Sequence, residues 1–213
     1  MQADVKICGL MRPEDVSTSI EAGAAYLGFI VEAKSKRRLR VSEAATLAAP
    51  IKDIVARVAV TVNAEDNLIA KIINEMSPDY IQCHGDETPQ RVAEIAAFFG
   101  VKTIKAVSIT SDADMKTAET FVGVSDFILL DAKPPKGSDV RGGHGISIDW
   151  DIIARAPLPK RFALAGGLTP LNVKAALAKT RAPILDVSSG VEREPGLKDP
   201  FKIKAFMKAA GHR

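Results

Sequence analysis

Residues 5–23 read VKICGLMRPEDVSTSIEAG. The first five residues, Val5 to Gly9, have strand character and end on a glycine. From Arg12 onward the spacing changes: Val16 and Ile20 fall four apart, as on one face of a helix, and Gly23 is a stop signal. A short strand followed by a short helix is one βα unit, and the fold depends on whether the unit recurs.

It recurs to the end of the chain. YLGFIV (26–31) precedes SEAATLAAPI (42–51), with Ser42 expected as a cap. VARVAVTV (55–62) precedes AEDNLIAKIINEM (64–76), where Leu68, Ile69, Ile72 and Ile73 form a stripe. YIQCHG (80–85) precedes TPQRVAEIAAFFG (88–100), opened by Thr88 and closed by Gly100. VKTIKAVSI (101–109) precedes DADMKTAETFVGV (112–124). FILLDA (127–132) leads through a glycine-rich loop to DWDIIARA (149–156). RFALAGG (161–167) precedes TPLNVKAALAKT (169–180), whose start is marked by Thr169 and Pro170. ILDVSSG (184–190) leads to DPFKIKAFMKAA (199–210). Parallel strands need crossovers, crossovers are right-handed, and eight repeats of the unit close into a single-domain (β/α)8 TIM barrel over residues 1–213. An open doubly wound sheet is the alternative, but no GxGxxG follows the first strand.

Composition sets the outer limits. The chain has 213 residues, 46% hydrophobic and 26% charged, enough for one sizeable core. A net charge of +3 with the basic residues dispersed, and 5% aromatics, argues against a nucleic-acid partner. No apolar run reaches membrane-span length, and the polar start MQADVK runs straight into a strand, so neither a membrane partner nor a leader is expected. Two distant cysteines, Cys8 and Cys83, suggest reduced thiols in a cytoplasmic protein. Neither has ligand-spaced partners beyond the adjacent His84, so no metal is expected.

In a barrel of this kind chemistry sits at the C-terminal ends of the strands. Cys8 ends strand one, His84 follows strand four, and Asp131 ends strand six. Gly166 and Gly167 follow strand seven. Asp186, Ser188, Ser189 and Gly190 follow strand eight, and Arg37 lies in KSKRRLR after strand two. Each has an ordinary reading: a small buried thiol, a capping carboxylate, a hydrogen-bonded imidazole, a solvated basic run, plain turns. Their convergence on one rim favours a functional reading. Glycine-rich turns after strands seven and eight let backbone N–H groups approach an anion, which points to a phosphorylated small-molecule substrate. Lys6 shares a face with Cys8, so it points into the barrel and needs a partner, Asp131 or Asp186. It is expected to lower the Cys8 pKa.

VKICGL, GFIVEAKSKR, IQCHGDE, ILLDA, GGHG followed by DW, ALAGGLTPLNV, and LDVSSGVE with PGLKD, in this order, resemble the phosphoribosylanthranilate isomerase family over nearly the whole chain. The resemblance implies a (β/α)8 barrel without cofactor or metal, as monomer or homodimer. It implies an aldose–ketose isomerase of tryptophan biosynthesis that converts N-(5-phosphoribosyl)anthranilate to 1-(2-carboxyphenylamino)-1-deoxyribulose 5-phosphate. It assigns Cys8 as general base and Asp131 as general acid. Arg37 would pair with the anthranilate carboxylate, His84 would line the site, and the turns after strands seven and eight would hold phosphate. The chain departs from the common family pattern at Cys83, usually Leu, at His144, usually Thr or Asn, and at Lys36, often Pro. A neighbouring phosphate barrel such as indole-3-glycerol phosphate synthase, or a non-enzymatic sugar-phosphate binder, would keep the glycine turns but not Cys8 and Asp131 together.

Overall fold

The computed structural model describes residues 2–132 and 150–212. Among these residues, eight parallel barrel strands alternate with eight α-helices, and a two-residue strand, Arg38–Leu39, pairs in parallel with the end of the second. The strands are β1 Asp4–Cys8, β2 Tyr26–Val31, β3 Ala56–Thr61, β4 Tyr80–Cys83, β5 Lys102–Ile109, β6 Phe127–Ala132, β7 Phe162–Ala165 and β8 Ile184–Val187. The helices are α1 Pro13–Glu21, α2 Val41–Ala48, α3 Asp66–Met76, α4 Pro89–Phe99, α5 Asp112–Glu119, α6 Trp150–Arg155, α7 Val173–Thr180 and α8 Pro200–Ala209. Each strand pairs with its sequence neighbours, and β1 pairs with both β2 and β8, so the sheet closes. The barrel is the fold the repeating unit predicts.

Helix starts follow local chemistry. Pro13, Pro89 and Pro200 open α1, α4 and α8, where a missing N–H costs nothing. Thr88 Oγ1 accepts from Arg91 N at 3.1 Å, and Gly100 ends α4 in the left-handed region at φ 62°. Two expected starts are displaced. Ser42 does not cap α2, which begins one residue earlier; Arg40 N instead donates to the Glu43 carboxylate at 2.8 Å. α7 begins at Val173 rather than at Thr169 and Pro170, because Asn172 Oδ1 accepts from Thr169 N at 2.8 Å and folds 169–172 into a turn first.

Strand alternation makes two cores. Outward residues such as Ile7, Phe29, Ile81 and Leu164 pack with helix residues including Ile69, Ile72, Val92, Ile95 and Phe206. Inward residues fill the barrel. Alternation and register stack the inward side chains in layers drawn from alternate strands. The bottom layer is Tyr26, Tyr80, Phe127 and Ile184, its rings edge to face at 5.8 to 5.9 Å. Arg161 closes it from below, donating to the Tyr26 hydroxyl at 2.9 Å and lying 5.0 Å over the Phe127 ring. Above come Lys6, Val58, Ile104 and Ala163, then Gly28, Gln82, Leu129 and Asp186. Barrel interiors are normally filled by branched apolar residues. Here Lys6, Gln82 and Asp186 are all buried in it. The polar side chains rise toward one end, and that end is the mouth.

Candidate functional site

The next layers up hold the rim residues. A cavity of about 230 Å³ opens there, lined among others by Cys8, Arg37, His84, Asp131, Gly166, Gly167, Asp186, Ser188, Ser189 and Gly190. All ten rim residues expected from the sequence therefore meet in one concavity. His144 lies outside the described residues.

Cys8 sits above Lys6 on β1. Lys6 Nζ donates to Asp186 Oδ1 at 3.0 Å, so Asp186, not Asp131, is the lysine's partner. The pairing follows from register, since Lys6 lies opposite Asp186 across β1 and β8. Burial alone would lower the Lys6 pKa, but Asp186 and then Cys8 outweigh it, and the ammonium is held above its usual range. The thiol behaves differently from the expectation. Burial pushes the Cys8 pKa up; Lys6 pulls it down and Asp186 pushes it up again, so the net direction is upward. The resting site carries a thiol over a buried ion pair. Gly28 makes this arrangement sterically feasible. A Cβ there would stand 2.8 Å from Cys8 Sγ and 3.1 Å from Lys6 Nζ.

Asp131 ends β6 across the mouth. Its Oδ2 lies 3.9 Å from His84 Nε2. His84 Nδ1 lies 2.9 Å from the side-chain amide nitrogen of Gln82, which is wholly buried. The Gln82 amide thus holds the ring at Nδ1 and leaves Nε2 facing Asp131.

Of the basic run after β2, Lys34, Lys36, Arg38 and Arg40 are exposed, and Arg37 alone turns inward. Arg37 forms a planar fork with Glu192: Nε to Oε1 and Nη2 to Oε2, both 2.6 Å. Lys198 Nζ reaches Glu192 Oε1 at 2.9 Å and the Ser188 carbonyl at 3.0 Å. Burial would raise the Glu192 pKa, but hydrogen bonds from Arg37 and Lys198 bring it below the usual carboxylate value. Glu192 and Lys198 stand on opposite strands of a small antiparallel hairpin that follows β8.

The turns after β7 and β8 touch closely. Gly190 packs against the Leu168 backbone, where a Cβ would come 1.8 Å from the carbonyl oxygen, so only glycine fits. Gly166 and Gly167 both have positive φ, 94° and 59°. These loops can present backbone N–H groups and the Ser188 and Ser189 hydroxyls to a phosphate. Among the described residues no three His, Cys, Asp or Glu side chains come together as a metal site, and no helix is long and apolar enough to cross a membrane.

Sequence reasoning missed Gly28, Gln82, Glu192 and Lys198. Strand parity on YLGFIV and YIQC, counted from Tyr26 and Tyr80, would have put Gly28 and Gln82 inside the barrel. Glu192 and Lys198 lie inside the quoted motifs LDVSSGVE and PGLKD, but their pairing arises from a hairpin with no counterpart in the repeating unit.

Residues 5–209 match the family model for N-(5'-phosphoribosyl)anthranilate (PRA) isomerase. The N-(5'-phosphoribosyl)anthranilate isomerase of Caulobacter vibrioides is 47% identical over 205 residues, spanning 96% of this chain and 94% of the relative. The crystal structure of phosphoribosyl anthranilate isomerase from Thermotoga maritima superposes with TM-score 0.87 at 37% identity, covering 98% of each chain. A crystal structure of phosphoribosyl anthranilate isomerase in complex with reduced 1-(o-carboxyphenylamino)-1-deoxyribulose 5-phosphate gives TM-score 0.84 at 34% identity, again over 98% of each.

Proposed function

The chain belongs to the N-(5'-phosphoribosyl)anthranilate isomerase family, and from that premise we propose how its own residues perform the isomerisation, a step of tryptophan biosynthesis. The observation that carries the reading is that Cys8 on β1 and Asp131 on β6 line one cavity, together with the close-packed turns after β7 and β8. Those turns hold the 5-phosphate, and Arg37 receives the anthranilate carboxylate.

The ribose ring must open first. Asp131 gives its proton to the ring oxygen as the C1–O bond breaks, and the anilino nitrogen's lone pair forms an iminium at C1. The iminium acidifies the C2 proton. Cys8 as thiolate removes that proton, leaving an enol with an amine on C1. Protonation at C1 and loss of the enol proton give the C2 ketone. The resting thiol is protonated, because burial raises its pKa. Its proton passes to solvent at the mouth before Cys8 acts, and Lys6 below it and the positive charge that develops at C1 above it stabilise the thiolate so formed. His84, held by Gln82, keeps Nε2 facing Asp131.

The enzyme is assigned to the cytoplasm, which its free, buried cysteines support. A monomer and a homodimer serve the mechanism equally, because every residue named comes from one chain.

The test is the fluorescence decay of freshly prepared phosphoribosylanthranilate on addition of protein. Cys8→Ser and Asp131→Asn should each lower kcat by about 10²- to 10⁴-fold. A near-normal kcat in either variant removes that residue from the mechanism.

A further inference from the structure

We propose that the hairpin after β8, through Glu192 and Lys198, positions Arg37 and sets the enzyme's selectivity for a carboxylate on the substrate's aryl ring. The proposal rests on the reading that Arg37 binds that carboxylate.

A guanidinium offers N–H donors along two edges. Glu192 occupies one edge, Nε and Nη2, with both contacts at 2.6 Å. The edge formed by Nη1 and the second Nη2 hydrogen is left to receive a second planar carboxylate. A flexible side chain in a basic loop is thereby fixed in one orientation before substrate arrives. Gly9 contributes room: a Cβ there would lie 2.5 Å from Arg37 Cδ and 3.1 Å from Ser188 Oγ.

Pairing alone would defeat the purpose, since a carboxylate on Arg37 cancels the charge that attracts another. Lys198 restores it. Its side chain is wholly buried and its Nζ lies 2.9 Å from Glu192 Oε1. Two cations on one carboxylate leave the cluster positive. Burial lowers the Lys198 pKa and Arg37 pushes it the same way; Glu192 and then Cys8 oppose them, and the net direction stays downward. Lys198 Nζ also holds the Ser188 carbonyl at 3.0 Å and its hydroxyl at 3.3 Å. One hairpin therefore ties the carboxylate anchor to the loop assigned to phosphate. Its turn reaches back over the mouth, where a Cβ on Gly196 would come 2.9 Å from Met11 Sδ and 3.4 Å from the Lys36 carbonyl. The distance between the substrate's two anions is thus fixed by one small structural unit.

The experiment compares wild type with Glu192→Gln, Glu192→Asp, Arg37→Ala and the Arg37→Ala/Glu192→Gln double variant. Two probes are used: reduced 1-(o-carboxyphenylamino)-1-deoxyribulose 5-phosphate, and the same compound with phenyl in place of o-carboxyphenyl. Glu192→Gln should raise KM and weaken the carboxylated probe roughly tenfold. kcat should change less, and the carboxylate-free probe should bind as before. Glu192→Asp should recover part of the loss. On the Arg37→Ala background Glu192→Gln should add nothing. Equal loss for both probes means a merely structural role and overturns the proposal. So does a loss that adds to that of Arg37→Ala, or tighter binding of the carboxylated probe by Glu192→Gln. Should Arg37→Ala itself bind both probes like wild type, the assignment of Arg37 fails first, and the inference falls with it.

Discussion

Lys6 Nζ and Asp186 Oδ1 meet at 3.0 Å inside the barrel, below the thiol of Cys8. The pair explains how a lysine tolerates complete burial, and it biases the thiol above it in two opposing directions. The ammonium favours thiolate and the carboxylate disfavours it, while burial raises the thiol's pKa in any case.

Substitutions on the two sides of the pair should therefore move Cys8 oppositely. Lys6→Met should shift the pH dependence of iodoacetamide alkylation upward, and Asp186→Asn should shift it downward. Cys83 is an internal control, since burial and then Glu87 push its pKa up to about 12. The measurement is the alkylation rate at each cysteine by mass spectrometry from pH 6 to 10. Shifts of the same sign in both variants would show that the ion pair does not control the thiol. Lys6→Met leaves Asp186 buried without its partner, at a cost of about 3 kcal/mol or more, so the rates are taken below the unfolding transition.

Gly28→Ala tests the space beneath the Cys8 thiol. The new methyl would press on Cys8 Sγ at 2.8 Å and on Lys6 Nζ at 3.1 Å. Overpacking of this kind costs about 1–3 kcal/mol, and a displaced base loses its line to C2. The expected result is a kcat lower by at least about tenfold with KM changed little. Wild-type kcat in the folded variant would mean the barrel interior yields without moving the thiol.

Most of the fold was readable because it is repetitive. A strand period and a helix period alternate eight times, and only one closure suits that pattern. The rim residues were readable because strand ends are marked by glycine and by polar residues that break apolar runs. Features set by cross-strand register or by single insertions were hidden. The choice of Asp186 over Asp131 as the partner of Lys6 depends on which residues lie opposite across β1 and β8. The raised Cys8 pKa depends on how much water reaches the thiol, which strand parity does not report. The start of α7 was misplaced because Asn172, rather than Thr169, ends the preceding turn.

Arg161 is on the far side of the barrel from the chemistry. Its guanidinium donates to the Tyr26 hydroxyl at 2.9 Å and the Tyr80 hydroxyl at 3.3 Å, and stacks over Phe127. Arg161→Ala should cost about 1–2 kcal/mol and lower Tm by roughly 2–6 °C, because the site sits three layers above. kcat and KM should remain at wild-type values. Thermal unfolding and steady-state kinetics on one preparation check this, and a loss of kcat without a loss of Tm would contradict it.

Gly190 separates steric from conformational demand at the turns after β7 and β8. Its φ lies outside the left-handed region, so an L residue is not strained there by backbone geometry. The obstacle is the Leu168 carbonyl oxygen, 1.8 Å from where a Cβ would stand. Gly190→Ala must therefore push the β8 turn away from the β7 turn by more than an ångström. If the two turns together hold phosphate, that displacement removes N–H donors from the anion without touching Cys8 or Asp131. KM for phosphoribosylanthranilate should rise by roughly 10- to 100-fold. Inorganic phosphate should lose its strength as a competitive inhibitor by a similar factor. The rate of Cys8 alkylation, which reports the thiol at the end of β1, should stay near that of wild type. An unaltered phosphate inhibition constant in a folded Gly190→Ala enzyme would place the phosphate somewhere other than between these two turns.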